Sequence, residues 1–263
     1  LRGGLSSRTI VSSSWRSDQT YGSSEPDAVG RVKVADRRSS TAFGLKQDWA
    51  IEPGRSHLLK WGADVRRVAA QYSHYADFVT YDPVFTGTET PLVIHRHLRL
   101  EPSGWQVGLY SADRVRVAPG VTVEIGARWD HQAWIPGEAQ LSPRLNVVWD
   151  LGEPGTLRGA WGRYTQAESI SELPVEDGVT AFSQAQVSEQ RTLSFDRRFA
   201  NGQLAKIEAY HFTTTRPRPR FENLFDATHL FPEGEADRVL VAPDRTEARG
   251  VEITVKGQVR KAG

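Results

Sequence analysis

The sequence predicts an all-β protein: an antiparallel meander of about ten long strands with the pattern of a transmembrane β-barrel. Three observations carry this prediction. Apolar and polar residues alternate with a period of two in one segment after another, and no segment shows a helical period of 3.6. The connections alternate between short and long. The alternating segments run to about ten residues or more, beyond the usual ~5–6 of a soluble strand and enough for the ~9–11 that cross a bilayer.

Composition fits and narrows this. Only 38% of the 263 residues are hydrophobic, yet eight are Trp. A soluble core of this size leans more on Leu, Ile and Val. The 23 Gly and 14 Pro suit many turns. A net charge of +1 gives no overall field to attract nucleic acid, which is not expected as a partner. Cysteine is absent, which excludes disulfides and thiolate metal sites. No apolar run of ~18 residues exists for a transmembrane helix, and this says nothing about crossing by strands. A chain that opens LRGGLSS reads as processed or as a piece of a longer protein.

Taken in order, residues 8–17 are a weakly patterned strand, followed by a polar loop to about residue 38. In residues 41–51, Phe43, Leu45, Trp49 and Ile51 share one face and Gly44, Lys46 and Asp48 the other. Glu52-Pro53-Gly54 turns the chain. Residues 57–69 return, with Leu59, Trp61, Ala63 and Val65 opposing Lys60, Gly62, Asp64 and Arg66. Residues 71–104 show no sustained period and read as a long loop. Residues 105–117 are the next strand, and a turn near Ala118-Pro119-Gly120 leads to the cleanest one. There Val121, Val123, Ile125, Ala127 and Trp129 oppose Thr122, Glu124, Gly126, Arg128 and Asp130.

Residues 141–164 form a hairpin about Gly152-Glu153-Pro154-Gly155, with Leu145, Val147 and Trp149 facing Leu157 and Trp161. A polar loop spans 165–185. Residues 187–199 and 204–214 pair about Asn201-Gly202, a strong hairpin signal. An irregular stretch covers 215–246. The last strand sets Val251, Ile253 and Val255 against Glu252, Thr254 and Lys256.

Successive antiparallel strands leave at opposite ends, so all short turns fall at one end and all long loops at the other. Outer-membrane barrels have this asymmetry. The greasy face could pack inward or meet lipid, and three features favour lipid. Charges of both signs stand mid-strand on the polar faces, at Lys60, Asp64, Glu124, Arg128, Glu252 and Lys256. Trp49, Trp105, Trp129, Trp134 and Trp149 fall near strand ends, where aromatic girdles sit. The strands are long.

These residues resemble a known family, the β-barrel of TonB-dependent outer-membrane receptors. Leu141-Ser142-Pro143-Arg144-Leu145 resembles the family's S-P-R-L strand. Thr156-Leu157-Arg158-Gly159-Ala160-Trp161-Gly162-Arg163-Tyr164, with Ile170-Ser171-Glu172-Leu173 after it, resembles T-L-R-A-S-Y-G-x-G-F-R-A-P and a following Glu-Leu pair. Ala248-Arg249-Gly250-Val251-Glu252-Ile253 is similar to the A-R-G-V-E strand. Gly104 to Tyr110 and the Arg128-Trp129-Asp130 strand end also fit. Gln166-Ala167-Glu168 departs from the common Ala-Pro.

The resemblance implies a bacterial outer-membrane receptor that takes up a scarce ligand by energy-coupled transport, such as an iron-siderophore complex, cobalamin or a sugar. Its partners would be outer-membrane lipid, that small-molecule ligand, and the TonB complex through an N-terminal region not found in this chain. Residues 1–263 then form part of the barrel domain, an incomplete segment of a large transmembrane β-barrel, without the plug and the remaining strands of a 22-stranded wall. Transport by this chain alone is not expected. Alternatives are a soluble all-β carbohydrate-binding module and a glycan-active enzyme.

Several constellations invite chemistry. Arg216, Arg218 and Arg220, interleaved with Pro217 and Pro219, form a stiff basic element whose guanidinium forks suit carboxylate or phosphate. They are the candidate ligand-binding residues; the plain alternative is solubilising loop charge. His95-Arg96-His97 places two His on one strand face, but spacing supplies no third ligand, so no metal site or cofactor is expected. Glu168, Glu172, Glu176 and Asp177 cluster in a loop where nothing fixes a catalytic separation. Recognition, without an enzymatic step, is the expectation.

Overall fold

The computed structural model describes residues 4–24, 30–80, 92–137, 140–223 and 238–257. Thirteen strands carry the fold: β1 (Ser6–Ser24), β2 (Gly30–Ile51), β3 (His57–Thr80), β4 (Leu92–Leu100), β5 (Ser103–Ala118), β6 (Val121–Gln132), β7 (Gln140–Asp150), β8 (Thr156–Gln166), β9 (Gln186–Arg198), β10 (Leu204–Thr215), β11 (Arg220–Asn223), β12 (Arg238–Val241) and β13 (Arg245–Lys256). Eleven form one antiparallel sheet in the order β1-β2-β3-β5-β6-β7-β8-β9-β10-β13, with β4 paired to β3; β11 and β12 form a separate hairpin. The meander is as expected, and it is open. β1 pairs with β2 and β13 with β10, and no ladder joins β1 to β13 among the described residues.

Two expectations need correction. The polar loop expected to run to residue 38 is strand in its described residues, 25–29 lying outside them: β1 and β2 pair without interruption from Ser6↔Ala50 to Ser24↔Val32. The loop expected over 71–104 is strand for much of its length. β3 continues to Thr80, and β4 pairs with it from Tyr72↔Leu100 to Thr80↔Leu92. The cause is the same in both. On β3 the outward residues are Ala63 and Val65, then Arg67, Gln71 and Ser73. On β2 they are Leu45 and Phe43, then Thr41, Ser39 and Arg37. Beyond the lipid the outward face turns polar and burial moves to the inner face, at Val34, Tyr72, Ala76 and Phe78, so the outward apolar beat ends while the backbone ladder continues.

Direct cross-strand partners share a face, and between the short turns and the girdle the large aliphatic residues concentrate on the outer one. Val11, Leu45, Val65 and Val107 are successive partners, as are Ile125, Leu145 and Trp161. Leu193, Ala209 and Val251 continue on β9, β10 and β13. These side chains are exposed, Ile125 by 62% and Val251 by 65%. A band of exposed aliphatic side chains across a whole sheet has no place in water and fits lipid.

Aromatic residues border the band. Trp49 and Trp61 stack at the short-turn end, ring centroids 6.1 Å apart, and Trp149 lies on the same side of the sheet. Towards the long-loop end stand Trp105 under the Arg67 guanidinium, Trp129 stacked on His131, and Trp161. Trp134, expected in a girdle, is not there. Its indole packs inside against a hydrophobic cluster and donates to the Glu168 carbonyl at 3.0 Å.

The short turns lie together at residues 52–56, 119–120, 151–155 and 199–203. Gly120 (φ 74°) shows why one is so tight. Its carbonyl accepts from Asp150 N–H at 2.8 Å, and an added Cβ would stand 2.4 Å from the Asp150 carbonyl oxygen. A side chain would meet both strain and a clash.

The inner face carries a ladder of paired charges, as the mid-strand charges predicted. Asp64 holds Arg66, Asp130 holds Arg128, Glu124 holds Arg114, Asp196 holds Arg158 and Glu208 holds Lys206. The main buried cluster lies between this face and the segment 167–185. Val68, Ala70 and Tyr72 of β3 meet Ile170, Leu173 and Val175 of that segment.

Candidate functional site

The segment 167–185 does not stand away from the sheet; it folds back over the inner face and docks on β3. Tyr72 is its anchor, 1% exposed. Its hydroxyl donates to the Ile170 carbonyl at 2.7 Å and accepts from Leu173 N–H at 3.0 Å. Burial pushes that hydroxyl's pKa up to about 12, so it remains a neutral donor. Arg38 lies over the Tyr72 ring, its guanidinium 5.7 Å from the ring centre. Arg38 also forks onto Asp36, at 2.7 and 3.0 Å, and reaches Glu176 at 2.6 Å. The Asp36 carboxylate meets the buried His74 Nδ1 at 2.8 Å. One arginine therefore ties β2, β3 and the segment together.

The clustered carboxylates go to separate jobs. Glu172 pairs with Arg218 at 3.2 Å, Glu176 with Arg38, and Asp177 with Arg238 at 2.8 Å. Glu168 is buried and accepts from Ser183 N–H at 3.2 Å. Burial, its largest influence, raises the Glu168 carboxyl above the ordinary carboxylate range. Arg218 and the Ser183 N–H oppose that rise, and Glu172 adds to it.

Beneath the segment is a cavity of about 510 Å³ against the inner face. Arg66, Gln106, Arg128, Gln132 and Gln140 reach it from the sheet, and 167–171 roof it. Gln140 donates to Gln132 at 2.6 Å. The Asp130 and Glu168 carboxylates also line it, Asp130 held by Arg128, and the amide and guanidinium donors around them can bind a solute rich in oxygen acceptors. Of this chamber, sequence reasoning placed Arg66, Arg128 and Asp130 on polar faces and Glu168 in a loop, and missed that the loop roofs them. The missing signal is the segment itself, whose partners lie about a hundred positions away along the chain.

Arg216, Arg218 and Arg220 stand at the long-loop end. Arg216, in a left-handed conformation (φ 53°), donates to Gln184 at 2.8 Å. Arg218 pairs with Glu172 and its backbone N–H donates to Gln186 at 3.3 Å. Arg220 opens β11 and pairs with Glu222 on the same strand. Two of the three thus grip the ends of the docked segment. His95 and His97 point outward from β4, with His95 3.1 Å from Asp77, while Arg96 points inward and donates to the Glu176 carbonyl. No group of three or more potential metal ligands occurs among the described residues.

The family profile of the "TonB dependent receptor-like, beta-barrel" matches residues 2–262. The chain belongs to this family. As a TonB-dependent receptor barrel segment it lies in the bacterial outer membrane. Solved structures share its fold at low identity. The copper transporter OprC is 12% identical, with 95% of this chain aligned to 45% of that one and a TM-score of 0.57. The RagAB peptide importer is 14% identical, over 98% of this chain and 33% of that one, with a TM-score of 0.57. BauA, the ferric preacinetobactin receptor of Acinetobacter baumannii, is 12% identical, over 98% of this chain and 40% of that one, with a TM-score of 0.53. The chain therefore spans less than half the length of each of these three. No curated protein matches it.

Proposed function

We propose that this receptor segment forms part of the wall and inner mouth of a barrel that captures a metal chelate for energy-coupled uptake. Supporting this reading above all is the polar chamber of about 510 Å³ between the inner wall and the docked segment. Its amide and guanidinium donors suit the dense oxygen acceptors of an iron-siderophore complex. Two solved relatives, the copper transporter OprC and the ferric preacinetobactin receptor BauA, support the same reading. In this reading the plug and the contact with the TonB complex are supplied by residues outside this chain. A soluble carbohydrate-binding module is disfavoured by the exposed apolar band.

Arg216, Arg218 and Arg220 remain the proposed ligand-gathering residues at the mouth. Their Pro-stiffened backbone lowers the ordering cost of binding. Replacing all three by Gln in the receptor that carries this chain should weaken uptake of an anionic ferric chelate by about tenfold or more, the scale of losing one or two charge-assisted hydrogen bonds. Arg220→Gln alone separates ligand contact from loop tethering, because among the described residues Arg220 pairs within its own hairpin. Unchanged uptake in the triple variant would remove these residues from the ligand's path.

A further inference from the structure

A second basic site lies on the opposite side of the sheet. Its outward faces change character at one level. On β8 the outward order is Leu157, Gly159 and Trp161, then Arg163. On β9 it is Phe195 and Leu193, then Arg191 and Glu189; on β10, Ile207 and Ala209, then His211 and Thr213. On β13 it is Ile253 and Val251, then Arg249, Glu247 and Arg245. Four neighbouring strands thus pass from lipid-facing aliphatics to charge within one or two positions.

Just above that boundary is a cleft of about 450 Å³ lined by Arg163, Glu189, Arg191, His211, Thr213 and Arg245. Three arginines and one glutamate line it, and Arg249 and Glu247 stand beside it on β13. Glu189 is engaged by Arg191 and by the Trp161 indole N–H. Glu247 accepts from His211 at 2.9 Å and from Arg245 at 3.1 Å. Arg163 is exposed and has no hydrogen bond or ion pair among the described residues.

We propose that this cleft binds the phosphorylated headgroup of an outer-leaflet lipid. Three things select that occupant. The cleft opens sideways from the wall, away from the inner chamber. It lies at the long-loop end of the apolar band, at headgroup depth beside the girdle residue Trp161. Its surplus charge is arginine, whose fork matches phosphate oxygens. Acyl chains of the same lipid would run down Leu193, Ile207, Val251 and Ile253 directly below. Phosphate binding would order the long-loop end of this wall without touching the transport path.

The test is native mass spectrometry of the receptor that carries this chain, extracted in detergent from outer membranes. The probe is a hexa-acylated glucosamine disaccharide lipid, with two phosphates or with none. The bisphosphorylated lipid should bind about tenfold more tightly than its dephosphorylated form, and Arg163→Gln/Arg191→Gln should remove that advantage. Arg163→Gln alone, at a position without a partner, keeps the fold intact and should lower the advantage about threefold or more. Arg114→Gln/Arg116→Gln, at the short-turn end, should leave binding as it was. Equal binding of both lipids, an unaffected Arg163 variant, or equal loss from the short-turn variant would overturn the proposal. Complete displacement by inorganic phosphate would also overturn it, by assigning the cleft to a soluble anion.

Discussion

Tyr72 shows how much one residue decides in this wall. Its hydroxyl satisfies an acceptor and a donor of a backbone segment roughly a hundred positions away, and its ring floors the cluster that receives Ile170, Leu173 and Val175. Tyr72→Phe keeps the ring and leaves both backbone groups buried without that partner. The expected cost is about 1–3 kcal/mol, the penalty for a stranded buried polar group. It should fall on local docking of 167–185 and leave the sheet intact. Hydrogen exchange of Leu173 N–H reads it directly: exchange should accelerate at least several-fold, while amides of β6 and β7 stay unchanged.

At the scale of elements, the segment 167–185 behaves as an acid-sensitive clasp. Glu168 is held above the ordinary carboxylate value of 4.5 chiefly by burial. A carboxyl raised on docking binds its proton more tightly when docked. Its contribution is fully present below the undocked pKa and is lost as pH rises through the docked one. Docking should therefore strengthen as pH falls from neutral toward the ordinary carboxylate range. Protection of the 167–185 amides, corrected for intrinsic exchange, should rise over that window in the parent and stay flat in Glu168→Gln. A slope retained by the Gln variant would assign the effect elsewhere.

The same elements show what the sequence makes legible. The hairpins about Gly152–Gly155 and Asn201-Gly202 were readable because lipid outside and water inside force strict alternation. β4 and the far ends of β1, β2 and β3 were not, since the outward residues there, such as Gln71, Ser73 and Arg37, are polar, and what buries Tyr72 and Ala70 on the inner face comes from the distant segment 167–185. The chamber was hidden for a third reason. Arg128 could be placed on the polar face from its own strand, but its roof comes from 167–171, and no local pattern announces that return. Arg216 and Arg218 could be recognised as a stiff basic element, though not as partners of Gln184 and Glu172.

For the whole molecule, the sheet's two faces serve different surroundings. The outer face sets aliphatic residues between aromatic borders, and the inner face sets paired charges, a docked segment and a chamber. The outer edges of β1 and β13 have no strand partner among the described residues. In lipid each bare backbone group costs several kcal/mol, so a closed wall draws on further strands. Everything functional rests on which face meets lipid.

β6 offers the most direct test. The sequence contains no cysteine, so Glu124→Cys and Ile125→Cys each give a unique site for a spin label. In the membrane-embedded chain, the label at 125 should be relaxed strongly by oxygen and weakly by a polar quencher, and the label at 124 should show the reverse. Greater oxygen access at 124 than at 125, with less access to the polar quencher, would contradict the assignment of the two faces.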